Sequence, residues 1–471
     1  CLVGVASSLA AHLLGVPVKI ITTIETTMEA IGKRYENYTE YEVGVDKKGT
    51  IQYMTASVYA DTGSSNNDPV VIPFFMPNIS GVYDNSTWSL TAYNVKTDKP
   101  SSTWCRAPGT LEATTIIEII MEHIAQVVKV DPVTVRLNNT KPGQYPIADM
   151  ITSLKNTSDY DKRLQSVRKF NSENFWRKKG LSLVPMRYEM TYTGIFHATV
   201  SVYRNDGTVA ITHGGMEIGQ GMNTKAAQVC AFKLGIGLEY IQVKASNNLT
   251  SPDSGFTGGS VTSESVCLAV IKCCDELNAR LGPIKKKLKD ASWEAVVKQA
   301  YLEFVNMNVS AAMTPLADVK TYNVFGVTAL EVEVDVLTGQ HQILRVDLLE
   351  DAGQSLSPLI DIGQVEGAFV MGLGYFTTEE LKYDPNTGEC VTNRTWNYKV
   401  PGAKDIPIDF RIYLLKNSDN PLGVLRSKAV GEPPLCMSTS VLFAIRQAVA
   451  SARADMGLKD EWFKFDPPYT A

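Results

Sequence analysis

Pro433 and Pro434, set between Gly431-Glu432 and Leu435, restrict this chain of 471 residues more tightly than any other feature of it. Both prolines fix their own φ, Pro433 biases Glu432 toward extended backbone, and Gly431 permits a close approach just before it. Downstream, Val441, Leu442, Ala444, Ile445, Ala448 and Val449 follow the apolar spacing of a buried helix, with Ser438, Thr439 and Ser440 as N-cap candidates. Glu432 is thereby expected just ahead of a helix N-terminus, held in place instead of swinging freely. A carboxylate fixed beside inward-packing structure is what a general base requires. On their own, these five residues still favour a plain proline turn.

A second cluster changes the balance. The run from His213 to Lys225, HGGMEIGQGMNTK, follows a predicted hairpin that turns at Asn205, Asp206 and Gly207. Its glycines leave backbone N–H groups open to an anionic or polar ligand, and Gln220 adds a donor and an acceptor. The helix expected from about Thr224 to Phe232 points its positive end the same way. Ser254 to Ser263 (SGFTGGSVTS) repeats this design of glycines and hydroxyls opening a helix, and Asp361 to Gly367 (DIGQVEG) does so again. Each run alone is what ordinary turns and C-caps use. Several in one chain point to a large polar cofactor.

The stretches THGGMEIGQGMNTKAAQ, IDIGQVEGAFVMGLGYFTTEEL, SKAVGEPPLCMSTSVLFAIRQA and SSTWCRAPG resemble the molybdenum-binding half of the xanthine dehydrogenase and aldehyde oxidase family, in order and over essentially the whole chain. Cys105 to Gly109 (CRAPG) is similar to insect aldehyde oxidases in particular. The resemblance implies two molybdopterin-binding domains of mixed sheets with covering helices, and a molybdenum held through its pterin dithiolene with no direct protein ligand. It implies that Glu432 takes the proton from a metal-bound hydroxyl, whose oxygen attacks an electron-poor carbon while hydride passes to a sulfido ligand. Ile218, Gly219, Gln220 and Arg106 would contact the pterin or dithiolene, and Gly259, Ser260, Val261, Thr262 and Gln364 other parts of the cofactor. Outside that motif Arg106 reads equally as a surface ion-pair residue. A metal-acidified hydroxyl needs only one carboxylate as base, and no Ser/His/Asp or Cys/His nucleophile set is evident.

Departures from the family pattern bear on the substrate. Where xanthine dehydrogenases carry a Phe-Arg-Gly-Phe-Gly type motif, this chain has Pro108 in place of the ring that would stack on a purine. At family spacing, the arginine used for purine recognition falls at Phe74, so an apolar ring replaces a bidentate donor fork. Tyr192 and Thr193 fall where the family places another substrate-facing aromatic and a hydroxyl. Aldehydes, or an N-heterocycle, are therefore expected over xanthine. A xanthine-oxidising enzyme and a non-catalytic fragment keeping only a dimerisation surface are the alternatives.

The resemblance further implies a cytoplasmic homodimer whose full-length form carries 2Fe-2S clusters and FAD. A glycine-rich cofactor segment would precede Cys1, and the family's C-terminal tail would follow Ala471, so a fragment is expected. Composition agrees with a packed, non-membrane body: 44% hydrophobic and 20% charged residues are ordinary, and a net charge of -5 gives no reason to expect nucleic acid. The basic run Lys285, Lys286, Lys287 and Lys289 is expected on a solvated helix face. Eight cysteines without CxxC pairing fit a reducing compartment.

Helices and antiparallel hairpins mix without a βαβ period, giving an α+β class. Tyr38–Val45 and Ile51–Tyr59 form a predicted hairpin around Asp46 to Gly49, and Leu111–Val127 a buried helix. Strands over Phe196–Thr212 and Gly326–Leu349 are expected in sheets covered by helices on one side. Leu2–Val16 reads as an amphipathic or buried helix stopped by Gly15 and Pro17, followed by a strand from Val18 to Thr22. Breakers Lys141, Pro142, Gly143 and Pro146 divide the chain into domains 1–145 and 146–471.

Overall fold

The computed structural model describes residues 2–141, 143, 145–464 and 466–470. Cys1, Pro142 and Ala471 lie outside the described residues, as does the side chain of Leu2. Among the described residues, eleven strands form three sheets. The first holds β1 (Asn37–Val45), β2 (Ile51–Gly63) and β3 (Trp88–Lys96), in that order. The second has the order β11-β10-β9-β4, from β4 (Arg177–Met190), β9 (Tyr322–Asp335), β10 (His341–Glu350) and β11 (Asp409–Leu414). The third has the order β7-β6-β5-β8, from β5 (Phe196–Val202), β6 (Val209–His213), β7 (Ile241–Val243) and β8 (Asn308–Met313). Antiparallel pairs dominate and each sheet carries one parallel pair, β2–β3, β10–β11 and β6–β7. The class is α+β, as expected.

Both predicted hairpins form, and local turn chemistry explains why. Asp46 Oδ1 accepts from the amides of Lys48 (2.8 Å) and Thr50 (2.9 Å), closing the β1–β2 turn. Asp206 Oδ1 does the same for Thr208 (3.0 Å), beside Gly207 at φ +72°. The helix expected at Leu111–Val127 spans Thr110–Val128 and is largely buried.

The third sheet alternates buried and half-buried positions, and helix Thr262–Leu288 packs against β5 and β8. The second sheet departs from the one-sided expectation, because both of its faces are covered. Val184, Met186, Tyr188, Val324, Leu330 and Val346 join one core with helices Pro358–Thr377 and Ser440–Asp455. Leu181, Leu183, Phe325, Val327, Ala329 and Leu349 join another with helices Thr110–Val128 and Ile147–Thr157. A sheet buried on both sides needs nearly continuous apolar strands, and β4 and β9 supply them. The second core draws on residues from both sides of position 145.

At the N-terminus a helix runs Leu2–Leu14 and stops at Gly15, whose amide donates to Ala11 O at 2.9 Å. It is not buried: Val5, Leu9, Leu13 and Leu14 are exposed, Leu13 by 72%. The strand expected at Val18–Thr22 does not form: residues 18–22 adopt no regular structure, Ile21 is 77% exposed, and among the described residues no strand pairs with them. The run Pro433–Asp455 is long and apolar enough to cross a membrane, but 72% of its most apolar window is buried inside the protein, so it is a core element.

Candidate active site

Glu432 is positioned by the two prolines, though not as the local rules suggest. It lies at φ −105°, ψ −35°, in helical instead of extended backbone, and caps a short helix, Pro433–Met437. Prolines suit the first turn of a helix, and the Leu435 amide closes that turn on Glu432 O at 3.0 Å. Tertiary bonds at Glu432 outweigh the pre-proline bias. Helix Ser440–Asp455 continues almost directly, and its expected hydroxyl caps are not used. Ser438 Oγ donates back to Leu435 O (2.6 Å) and Ser440 Oγ to Met437 O (3.0 Å), while the amides of Val441 and Leu442 find the carbonyls of Ser438 and Thr439.

The Glu432 carboxylate is 7% exposed and held at both ends. Its Oε1 accepts the Ala107 amide at 3.0 Å, and its Oε2 accepts the Tyr188 hydroxyl at 2.7 Å. Burial pushes the Tyr188 phenol well above its ordinary pKa, and the Glu432 charge adds to that, so Tyr188 remains a donor. Arg106 Nε donates to Gly431 O (2.6 Å) and Nη2 to Gln364 Oε1 (3.0 Å). Arg106 is thus no surface ion-pair residue. Burial lowers its pKa from the ordinary value, opposed chiefly by the charge of Glu432. Behind it, Arg34 Nη2 donates to Arg106 O (2.6 Å) and Nη1 pairs with Glu112 (3.2 Å).

Glu432, Tyr188, Arg106, Gly431 and Gln364 open onto one cavity of about 720 Å³. Glu432, Arg106, Ile218, Gly219, Gln220, Gly259, Ser260, Val261, Thr262 and Gln364 all line it, as do Phe74, Pro108 and Thr193. Tyr192 is the exception and is not on the wall. Its ring lies beside Tyr322, centroids 6.4 Å apart, because the residue just ahead of Thr193 faces the Tyr322–Glu264 cluster. Glu264 itself lines the cavity; Tyr322 donates to its Oε2 at 2.9 Å, and burial raises its pKa.

The glycine turn before helix Met222–Leu234 also differs from expectation. Its amides are not open: Glu217 Oε1 accepts from Gly219 and Gly221 (3.0 Å each), and Oε2 from Asn223 (2.9 Å). Gln220 is likewise engaged, accepting the Ile218 amide (2.7 Å) and donating to Met216 O (2.9 Å). Glu217, three residues from Gln220 in the same run, carried the signal, since a carboxylate ahead of a helix is drawn to its free first-turn amides. Sequence reasoning also missed Tyr188, Lys225, Glu264 and Trp104. Lys225 lines the cavity and pairs with Asp361 at 2.7 Å.

The wall suits a large polar group that carries its own charge. A Cβ placed on Gly219 or Gly259 would meet nothing within 4 Å, so bare backbone faces open space there. At Gly431 a Cβ would come within 2.7 Å of Ser260 Oγ, bringing these two walls close together. Arg106, Lys225 and Lys428 add cationic side chains, and helix Thr262–Leu288 adds first-turn amides. These features fit molybdopterin, a phosphate-bearing organic cofactor.

Mixed sheets around a cavity with glycine-bordered helix starts and one fixed carboxylate define a domain that binds a large organic cofactor. Two family models, each described as a molybdopterin cofactor-binding domain, match residues 1–140 and 153–407, and the chain belongs to that family. It is 36% identical to an indole-3-acetaldehyde oxidase of Arabidopsis thaliana over 96% of its own length and 36% of the relative's. It is 36% identical to a probable aldehyde oxidase 2 of Oryza sativa subsp. japonica, over 99% of this chain and 36% of that one. A xanthine dehydrogenase of Drosophila pseudoobscura pseudoobscura is 35% identical, over 100% of this chain and 37% of that one. The chain thus spans little more than a third of these relatives. In fold it resembles quinoline 2-oxidoreductase from Pseudomonas putida 86, with a TM-score of 0.85, 20% identity, and coverage of 98% of this chain and 64% of that one. It also resembles the aldehyde oxidoreductase from Desulfovibrio gigas, with a TM-score of 0.81, 22% identity, and coverage of 93% and 50%.

Proposed function

We propose that this chain is the molybdopterin-binding portion of a molybdenum hydroxylase that oxidises aldehydes to carboxylic acids, with Glu432 as the base. The observation that carries this reading is the buried, doubly held carboxylate of Glu432 on the wall of the same cavity as all nine expected cofactor residues.

The overall change is aldehyde plus water to carboxylic acid, two protons and two electrons. Bound in the cavity, molybdopterin supplies the two-electron redox centre. Ile218, Gly219, Gln220, Arg106, Gln364 and residues 259–262 hold it. Glu432 takes up the proton lost by the oxygen that attacks the carbonyl carbon, at a carboxylate oxygen that keeps lone pairs beyond those used by Ala107 and Tyr188. Those two donors fix the carboxylate's direction.

Relatives include both aldehyde oxidases and a xanthine dehydrogenase, so the wall residues carry the choice of substrate. Phe74 offers no donor fork, and Pro108 no stacking ring, at the two positions the family uses for a purine. The electrons leave through 2Fe-2S and FAD carriers of a longer, cytoplasmic, homodimeric protein acting on a small molecule and binding neither nucleic acid nor membrane. The test is oxidation of benzaldehyde against xanthine by the complete protein. Benzaldehyde turnover without xanthine turnover is the expected result; the reverse pattern overturns the assignment.

A further inference from the structure

Trp104 sits inside the CRAPG-bearing stretch, yet its role becomes visible only in three dimensions. Its ring lines the cavity between two others that also line it. Phe74 meets it edge-on, with centroids 5.5 Å apart at 83°, and Phe256 lies 5.4 Å away, tilted by 42°. The three rings come from distant parts of the chain, so the aromatic surface exists only in the folded protein.

The tryptophan is fixed at both ends. Its indole Nε1 donates to Pro69 O at 3.0 Å, and its backbone amide reaches Asp68 Oδ2 at 3.4 Å. Asp68 is in turn held by Thr103 Oγ1 at 2.6 Å. Phe256, by contrast, is 57% exposed although it lines the cavity. A Cβ on Gly258 would meet its ring at 3.3 Å, so a larger residue there would displace it. An exposed phenyl ring beside an anchored indole is apolar surface left for an incoming planar group to cover.

We infer that Trp104 and Phe256, backed by Phe74, form an aromatic shelf that makes this cavity selective for aryl aldehydes over short aliphatic ones. The inference rests on the aldehyde-oxidising reading above. The shelf restores, from a different position in the chain, the stacking surface that Pro108 removes. It offers π faces without donors, so it favours flat, apolar ring systems over hydrogen-bonding purines.

The experiment uses the complete protein and compares kcat/KM for 2-naphthaldehyde and acetaldehyde in wild type, Trp104→Ala, Phe256→Ala and Trp104→Phe, with molybdenum content and melting temperature as controls for folding. Wild type is expected to prefer the aryl substrate. Each alanine variant should lower the aryl-to-acetaldehyde ratio by about tenfold, with Trp104→Phe recovering most of it. An unchanged ratio in both alanine variants overturns the inference, as does a wild type without aryl preference. Failure to oxidise either aldehyde defeats the aldehyde reading itself. The shelf is then decided by binding: 2-naphthoate should quench tryptophan emission in wild type and much less in Trp104→Phe, and equal quenching in the two rejects it.

Discussion

Ala107 and Glu432 are 325 positions apart in the chain, and the amide of one donates to the carboxylate of the other at 3.0 Å. Ala107 reaches that bond with φ at +57°, a region that non-glycine residues seldom occupy. Such a backbone persists only where its surroundings hold it. Here the holding is mutual, because the same amide fixes the direction of the proposed base.

Glu432→Gln in the complete protein is expected to lower kcat for aldehyde oxidation by about a thousandfold. Glutamine can still accept from Ala107 through its single carbonyl oxygen while its Nε2 donates to the Tyr188 hydroxyl oxygen, but it takes up no proton. Molybdenum content, measured by elemental analysis, should stay at the wild-type level. Normal turnover in this variant would remove Glu432 from its assigned role.

Tyr188→Phe keeps the ring that packs in the core and deletes one donor to Glu432. A hydrogen bond to a charged group contributes about 1.5–3 kcal/mol, so kcat should fall at least about tenfold. Steady-state kinetics separate this from a binding defect, since KM should move little.

Glu350 is fully buried, and neither of its carboxylate oxygens has a hydrogen-bond partner among the described residues. Asp361 and Asp351 face it, each already paired with its own lysine, Lys225 and Lys428, and Arg106 lies nearby. Burial, and then the charges of the two aspartates, push its pKa well above the ordinary value. The folded state therefore holds this proton more tightly than the unfolded state. Its stabilising effect is complete below the unfolded pKa of about 4.3 and is lost as pH rises toward the folded one. Glu350→Gln, which never ionises, should gain stability relative to wild type between pH 5 and pH 8 by thermal melting. A constant difference across that range would contradict the assignment.

Gly180→Ala places a Cβ 1.8 Å from Ala444 O, where helix Ser440–Asp455 lies on β4. Backbone must move to relieve this, at a cost of about 3 kcal/mol. A lowered melting temperature, or loss of soluble protein, is the expected outcome. An unchanged melting curve would mean that the helix does not lie where the structure has it.

Features set by neighbouring residues were the legible ones. Asp46-to-Gly49 and Asn205-to-Gly207 carry their own turn chemistry, and the 110–128 helix its own apolar spacing. Much of the cavity wall was legible too, because two of its glycine runs sit next to helix starts; the third, Asp361 to Gly367, was expected to open a helix and lies inside helix Pro358–Thr377 instead. Contacts between distant segments stayed hidden. Nothing near Tyr188 announces Glu432 across 244 positions, and Trp104 gives no sign of Phe256. Local rules misled where a longer-range or competing partner won: Glu432 took helical backbone, Glu217 claimed the glycine amides, and residues 18–22 had strand composition but no strand pairing with them among the described residues.

Because the β11-β10-β9-β4 sheet gives one face to each of two cores, neither core can melt without stripping cover from the other. A protease nick between residues 141 and 160 should therefore leave two pieces clasped together through several purification steps, coming apart only in denaturant and in a single cooperative step.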